Sequence, residues 1–253
     1  MDIYTLIGKN EKIISWGLPF SIINDYIVIL SPDGEIKREI SMFEALRDKI
    51  PVTKLAGIYL HLLKDDPFHL FYTNSIAIAP RDIEGLCNKG DLLICTRHLN
   101  LIGILDIKTE KVTWSWGQGI IDKPHYPRFL KNNNILIFDN RWYRNYSRVI
   151  ELDPFSKEIV WEYKGNPPSQ FYTKTIGSNQ RLPNGNTLIT ESNKGHVVEI
   201  TSDGEIVWEW FNPEIRVDYK ERAVVYRMER ITDPENYPFL GTLTKSKQTQ
   251  EEL

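Results

Sequence analysis

The chain has 253 residues, a formal net charge of −3, 41% hydrophobic and 26% charged residues. That length supports a substantial core, in one large all-β domain or two ordinary ones, and the near-neutral charge leaves no electrostatic footprint for nucleic acid or an acidic membrane. No apolar run approaches the roughly 20 residues of a membrane helix; Cys87 and Cys95 are too few for a disulfide framework and lack metal-site company, so they read as buried thiols.

The N-terminus, MDIYTLIGKNEKIISW, has Asp2 where a signal peptide carries a basic region, and no long apolar stretch follows. The chain as written reads as cytoplasmic, with a secreted or periplasmic parent left open. Next comes YIVILSPDGEIKREI, two alternating runs across a tight turn, the pattern of a β-hairpin. Residues 41–66, SMFEALRDKIPVTKLAGIYLHLLKDD, change period. Phe43, Leu46 and Ile50, then Leu55, Tyr59 and Leu62, fall at helical spacing on either side of Pro51, which predicts two short helices. The hairpin then recurs as LIGILDIKTEKVTWSW, RVIELDPFSKEIVWEY and HVVEITSDGEIVWEW. Trp114, Trp161 and Trp208 close the three copies at spacings of 47 and 47, and Arg38 holds that place in the early copy. Each strong copy follows another hairpin, giving four short strands per period, the size of a β-propeller blade. A β-sandwich also has many short strands but needs no strict repeat with Trp at a fixed phase.

The expected fold is therefore an all-β propeller of four-stranded blades. Complete blades span about 72–117, 124–165 and 177–211, and a degenerate blade spans 18–41. A last blade is expected to be shared, with inner strands from RAVVYRMERI and outer strands from IYTLIGKNEKIISW, which would remove exposed edges. Five blades fit best, with six as the alternative. The propeller is taken as a single domain over 1–243, with the helical insertion at 41–66 and a polar tail at 244–253.

Aligned on their inner hairpins, Tyr72, His125 and Gly177 share one phase. At the end of the following strand Arg97 aligns with Asn140 and Ser192, and His98 with Arg141 and Asn193. The start of an innermost strand and the end of its antiparallel neighbour lie on one face of a propeller. Tyr72, Asn74, His125, Asn140, Arg141, Arg97 and His98 should therefore meet at one channel mouth as an anion-receptive cup, with His125 as nucleophile or base. The helical insertion precedes an innermost strand and would lie on that face as a lid. The plainer reading is that such Asn and Asp residues form turns and that Arg pairs with a carboxylate such as Asp139.

At these residues the chain resembles the bacterial arylsulfate sulfotransferase (ASST-type) propellers. The phrases QRLPNGNTLITESNKGHVVEITSDGEIVWEWFNP, SRVIELDPFSKEIVWEYKG and RFLKNNNILIFDNR carry the resemblance, which runs from about Tyr26 to Leu240. It implies a funnel-shaped site of histidines, Asn and Arg that moves a sulfuryl group from a phenolic sulfate ester to a phenol through a sulfated histidine, without a cofactor. The family's His-x-Asn-Ser appears here as YTNSI, with Tyr72 for His while Asn74 and Ser75 remain. Its Gln-His-x-Ala-Arg appears as PHYPR, keeping His125 and Arg128. GSNQRL offers no histidine, and VYRMER keeps Arg227 and Arg230. The resemblance makes His125 the candidate nucleophile, although it matches a supporting position of the family at least as well, and Tyr72 the handler of the phenol proton. Arg141 and Asn74 become holders of sulfonate oxygens, and His69 and His61 weaker substitutes for the missing histidine. The competing class is a non-catalytic propeller that binds an anionic or aromatic ligand or a protein. A quinone-dependent dehydrogenase propeller also repeats Trp, but nothing here supplies its metal-ligand carboxylates or its cofactor site.

Overall fold

The computed structural model describes residues 2–15, 18–51, 54, 67–216, 221–234 and 237. Four strands precede the regular repeat: β1 (Ile3–Ser15), β2 (Leu18–Leu30), β3 (Ile36–Ser41) and the two-residue β4 (Phe68–His69). They form one sheet in the order β1-β2-β3, with β4 parallel to β2 at Ile22 and Ile23. Three four-stranded antiparallel blades follow, each in simple chain order. The first is β5 (Thr73–Ile78), β6 (Leu92–Thr96), β7 (Leu101–Asp106) and β8 (Lys111–Trp116). The second is β9 (His125–Phe129), β10 (Ile135–Asp139), β11 (Arg148–Leu152) and β12 (Ile159–Tyr163). The third is β13 (Ser178–Arg181), β14 (Thr187–Glu191), β15 (His196–Ile200) and β16 (Ile206–Phe211). A short ribbon, β17 (Ile215–Arg216) with β18 (Glu221–Arg222), ends the regular structure. The protein is thus a β-propeller, as the repeat predicts. Among the described residues no helix is long and apolar enough to cross a membrane.

The cores lie between successive sheets, which is why the middle strands are apolar on both faces. Leu93, Cys95, Ile102 and Ile104 pack toward Ile135, Ile137, Ile150 and Leu152 of the next blade. Leu92, Ile94, Leu101 and Leu105 face the other way, onto Ile27, Ile29 and Ile40. Each such side chain is worth roughly 1.5–3 kcal/mol when fully buried. Cys95 is buried, and its thiol, which donates to the Pro124 carbonyl, is pushed far up by desolvation; Cys87 is partly buried.

The fixed phase of Trp has a structural cause. In each of the four four-stranded sheets the outer ladder slips by one residue at the same place, so Trp114, Trp161, Trp208 and Arg38 each follow one extra residue. A bulge of this kind re-aims the next side chain. Here it aims the donor at the following sheet. Trp114 Nε1 donates to the Pro154 carbonyl at 3.0 Å, Trp161 Nε1 to Ser202 at 2.7 Å, and Arg38 Nη1 to Ile107. Ile107, Pro154 and Ser202 occupy equivalent places in the turn before the outermost strand of the next blade. The Asn-rich turns have a cause too. Asn132 and Asn134 donate to Glu151, and Asn184 and Asn186 to Glu199. The same carboxylates are bridged by Arg181 and Arg230 from the neighbouring segment.

Two expectations are corrected. Among the described residues β1 does not join the C-terminal segment; all its residues pair with β2, from Ile3↔Leu30 to Ser15↔Leu18. A 13-residue hairpin outcompetes a distant partner because its ends are already together. Residues 223–231, expected to supply inner strands of a last blade, form no strand; they run beside β13 and β14 through single hydrogen bonds, Met228 N–H to Thr190 Oγ1 among them. Arg230 exchanges backbone bonds with the Gln180 amide and repeats the Arg181 contacts, with its guanidinium over Trp208. The helical insertion begins as expected, with α1 (Met42–Leu46) capped by the Ser41 hydroxyl, then a 3₁₀ turn over Arg47–Lys49. But Met42, Phe43, Ala45 and Leu46 are buried, and α1 packs on β2 and β8. This part is a wedge between sheets rather than a cover over the mouth. Leu55, Tyr59, His61 and Leu62 lie outside the described residues.

Candidate functional site

The mouth is built where inner strands begin and second strands end, and here the backbone departs from the regular blade. The β5–β6 ladder slips at Asn74, and the β9–β10 ladder slips at Tyr126–Pro127, whereas β13–β14 is in register throughout. Tyr72, Tyr126, Arg141 and Ile176 all have positive φ, 51°, 51°, 50° and 64°, costly for residues with a Cβ. The ladder slips thus fall in the first two blades, and the positive-φ residues in all three.

His125 is held by its neighbours in one tautomer. Its Nδ1 lies 2.6 Å from Asn140 Oδ1 and 3.0 Å from the Lys123 carbonyl, both acceptors. The Asn140 amide cannot be turned round, because its Nδ2 donates to the carbonyls of Thr173 at 2.8 Å and Ile176 at 2.7 Å. Nδ1 therefore carries the proton, and Nε2 keeps its lone pair. Burial pushes the imidazole down to about 4, with the Arg97 charge in the same sense, so it is neutral at physiological pH.

Beside His125 is a cavity of about 20 Å³ lined by Asn74, Tyr126, Ile176, Gly177, Ser178, Tyr226 and Arg227. That space holds about one water. Asn74 Nδ2 donates to the Pro124 carbonyl, and among the described residues its buried Oδ1 has no partner. Arg227 closes the cavity by donating to Tyr126 Oη at 2.9 Å, and Tyr126 Oη also donates to Glu229.

The other expected site residues fall in three places. Arg97, buried, donates to His98 Nε2 at 3.2 Å and lies between the rings of Tyr72 and Trp142, 5.4 and 5.1 Å from their centroids. His98 Nδ1 donates to the His69 carbonyl, and burial pushes this imidazole down to about 4 as well. Tyr72 is exposed, its ring 4.8 Å from His69 and 5.1 Å from His98. Arg128 stacks on Tyr126 at 3.5 Å and reaches Ser75 Oγ at 3.5 Å. Arg141 does not line the His125 cavity; its guanidinium rests 4.5 Å over Tyr146, so its expected convergence with His125 and Asn74 is not what the structure shows. The plainer reading holds at Asp139, which accepts from the Asp122 N–H and pairs with Arg148 at 2.8 Å, and at the equivalent Glu191, which accepts from the Tyr172 N–H. Positive charge gathers around the mouth all the same. The Lys123 amine is pushed down to about 8, by burial first and then by Lys54 and Arg97.

The sequence model of the arylsulfotransferase (ASST) family matches residues 17–213. The chain belongs to the ASST family. No curated protein matches it. Among solved structures it is similar to a protein of unknown function from Bacteroides caccae (14% identity, 82% of this chain and 58% of that one, TM-score 0.47). It is also similar to virginiamycin B lyase from Staphylococcus aureus (14%, 83% and 61%, TM-score 0.44) and to the Cps50 (Swd1) propeller domain of Myceliophteria thermophila (11%, 78% and 56%, TM-score 0.46). The chain spans about three fifths of the length of these structures.

At this mouth, sequence reading missed Tyr126, Glu229, Trp142 and Asp25. Tyr126 and Glu229 come together from 103 residues apart, and no local pattern announces the pair. Asp25, placed immediately before the alternating run of the first hairpin, reads as an ordinary strand-end residue. Its hydrogen bonds to His69 and to the Thr73 N–H depend on β4 lying beside β2.

Proposed function

We propose that the mouth of this propeller transfers a sulfuryl group from a phenolic sulfate ester to a phenol, with His125 as the nucleophile. The observation that carries the reading is the fixed tautomer of His125, a residue that lines the cavity: Nδ1–H is held by Asn140 and Lys123, which leaves Nε2 unprotonated. Nucleophilic catalysis by imidazole needs that state. In the first half-reaction Nε2 attacks sulfur, the S–O bond to the aryl group breaks, and the phenolate takes a proton. In the second the acceptor phenol loses its proton, its oxygen attacks the sulfur, and the N–S bond breaks. Asn140 stabilises the charge that develops on the imidazole, as a hydrogen-bond acceptor for Nδ1–H. Arg227, the cation on the cavity, faces the sulfonate oxygens, and Arg97 and Lys123 add to the positive potential. Asn74 takes a different part from the one expected of it. Its buried, partnerless Oδ1 suits the hydroxyl of a phenol better than a sulfonate oxygen.

The cavity is far smaller than the several hundred Å³ of a small-molecule site, so an aryl sulfate enters when Tyr226–Glu229 moves off His125. Steady-state kinetics with a chromogenic aryl sulfate and a phenol acceptor test the reading. Parallel double-reciprocal lines, lost in His125→Ala, are the expected result. If no phenol is released yet aryl sulfates raise the melting temperature, the site is a binding module for aromatic anions instead.

A further inference from the structure

The connector that joins one blade to the next is left over at both ends of the series. Arg38, Trp114 and Trp161 each donate to a carbonyl in the following sheet, at Ile107, Pro154 and Ser202. Trp208 stands at the same bulge of the last blade, yet among the described residues its Nε1 donates to nothing. A Trp N–H that leaves water normally finds an acceptor. Its ring is 38% exposed and lies outside the apolar cluster that Val197 and Trp210 form on the same face. At the other end the acceptor is left over. The turn Ser31–Glu35 repeats the turn Thr201–Glu205 bond for bond. Ser31 N–H donates to the Glu35 carbonyl, Gly34 N–H to the Ser31 carbonyl and Glu35 N–H to the Ser31 hydroxyl, and Thr201, Gly204 and Glu205 do the same. Pro32 therefore holds the place of Ser202, but it is exposed, and among the described residues no side chain donates to its carbonyl. The sheet behind that turn is open too. Ile3, Leu30 and Ile36 stand directly opposite one another across β1, β2 and β3, and Ile7, opposite Tyr26, shares their face. It is the reverse of the face on which Ile27 and Ile29 pack toward β5–β8. Ile3, Ile7 and Ile36 are 48%, 37% and 64% exposed. The same sheet lacks an innermost strand, since β1 has the place of β6, β10 and β14 and its second edge is unpaired among the described residues.

We propose that a second copy of this chain supplies the missing neighbour, the first sheet of one copy docking on the last blade of the next, so that Trp208 donates to the carbonyl of Pro32 of the partner subunit. The register commits the face to this occupant. It is the interface that already joins blades within the chain, with an apolar sheet face, a ring donor and a turn carbonyl at the same places. The two docking faces differ, so the contact is head to tail, and repeated at each end it closes copies into a ring or extends them. The free edge of β1 comes to lie beside the extended residues 223–231 of the next copy, on the channel side. In protein dilute enough to be monomeric Trp208 goes without its acceptor.

The experiment is sedimentation velocity of the full chain over a range of concentrations. Wild type should form species of two or more chains, reversibly on dilution. Trp208→Ala spoils one docking face and Ile36→Lys the other. Both residues are at the surface of the single chain, so each variant should fold, and melts of dilute protein check it. Each variant alone should stay monomeric where wild type is assembled. Mixed in equal amounts they should pair and stop at two chains, because each keeps the face that the other lacks. Trp208→Phe, which loses only the ring N–H, should weaken assembly about fivefold. Wild type that is monomeric at every concentration overturns the proposal, and means that the chain's own residues or a different protein cover the face. Assembly that survives both Trp208→Ala and Ile36→Lys overturns it as well. So does a mixture of the two that stays monomeric, the result for copies that meet through the same face.

Discussion

At single side chains, the account turns on where protons sit. His125 resists protonation in the folded protein, with its ordinary value of 6.5 pushed down to about 4 mainly by burial. The unfolded chain therefore binds more protons between those values, so stability is full above pH 6.5 and falls as pH drops toward 4. The loss assigned to His125 is on the order of 3 kcal/mol. Denaturant melts at pH 7 and pH 4.5, compared with the same pair in His125→Phe, would measure it. The variant should lose distinctly less stability on acidification. Adduct formation on His125 should likewise be flat from neutral pH to about pH 5. Asn140→Ala leaves Nδ1 without its shortest partner and should slow adduct formation about 10²-fold, on the usual scale for one electrostatic partner. The sequence register already pointed to His125 and Asn140, because both stand at a fixed phase of a repeat. Gly177 shows where that register misleads. It shares the phase of His125, yet it is glycine for a backbone reason. Its φ is 108°, and a Cβ would lie 2.6 Å from the Phe138 ring. Conformational demand and chemical role look identical in a one-letter code.

Among strands and turns, the repeated Trp is a connector between blades. Trp114→Phe and Trp161→Phe each remove a hydrogen bond to the next turn and should cost about 0.5–1.5 kcal/mol in thermal or denaturant melts. Trp208 is 38% exposed and carries Arg230 over its ring, so Trp208→Phe should cost less than either. Equal losses at all three positions would contradict the connector role. The blades, their order and the outer hairpin were legible, since period-2 alternation and a 47-residue spacing repeat in the letters themselves; its bulge was not. The pairing of β1 was not, because IYTLIGKNEKIISW alternates equally well for either partner, and only chain proximity decides between them. The wedge role of α1 was hidden for a related reason. Helical spacing shows an apolar stripe but not which surface covers it. The segment over His125 can be tested from its latch. Tyr126→Phe removes the hydroxyl that Arg227 and Glu229 share, and should speed adduct formation if opening limits it; an unchanged rate would argue against a closed mouth.

As a whole molecule, the protein repeats one blade pattern, and the blades differ most at the mouth. Blades β5–β8 and β9–β12 carry inner-strand bulges at the mouth, whereas the β13–β14 ladder is in register, with its departure confined to Ile176 and Gly177 just before it. Repetition supplies the interblade core, and the departures from repetition supply a site with a neutral imidazole under a positive potential. ASST-family membership and the propeller could be read from whole phrases of sequence. The polar pairings at the mouth could not, because they include contacts such as Asp25 with His69, across 44 residues. The most direct measurement is intact-mass analysis, with peptide mapping, after brief exposure to 4-nitrophenyl sulfate without acceptor. The expected result is a gain of about 80 Da, one sulfuryl group, localised to His125, absent in His125→Ala and discharged by added phenol. Nitrophenol release with no such gain, or a gain on any other residue, would contradict it.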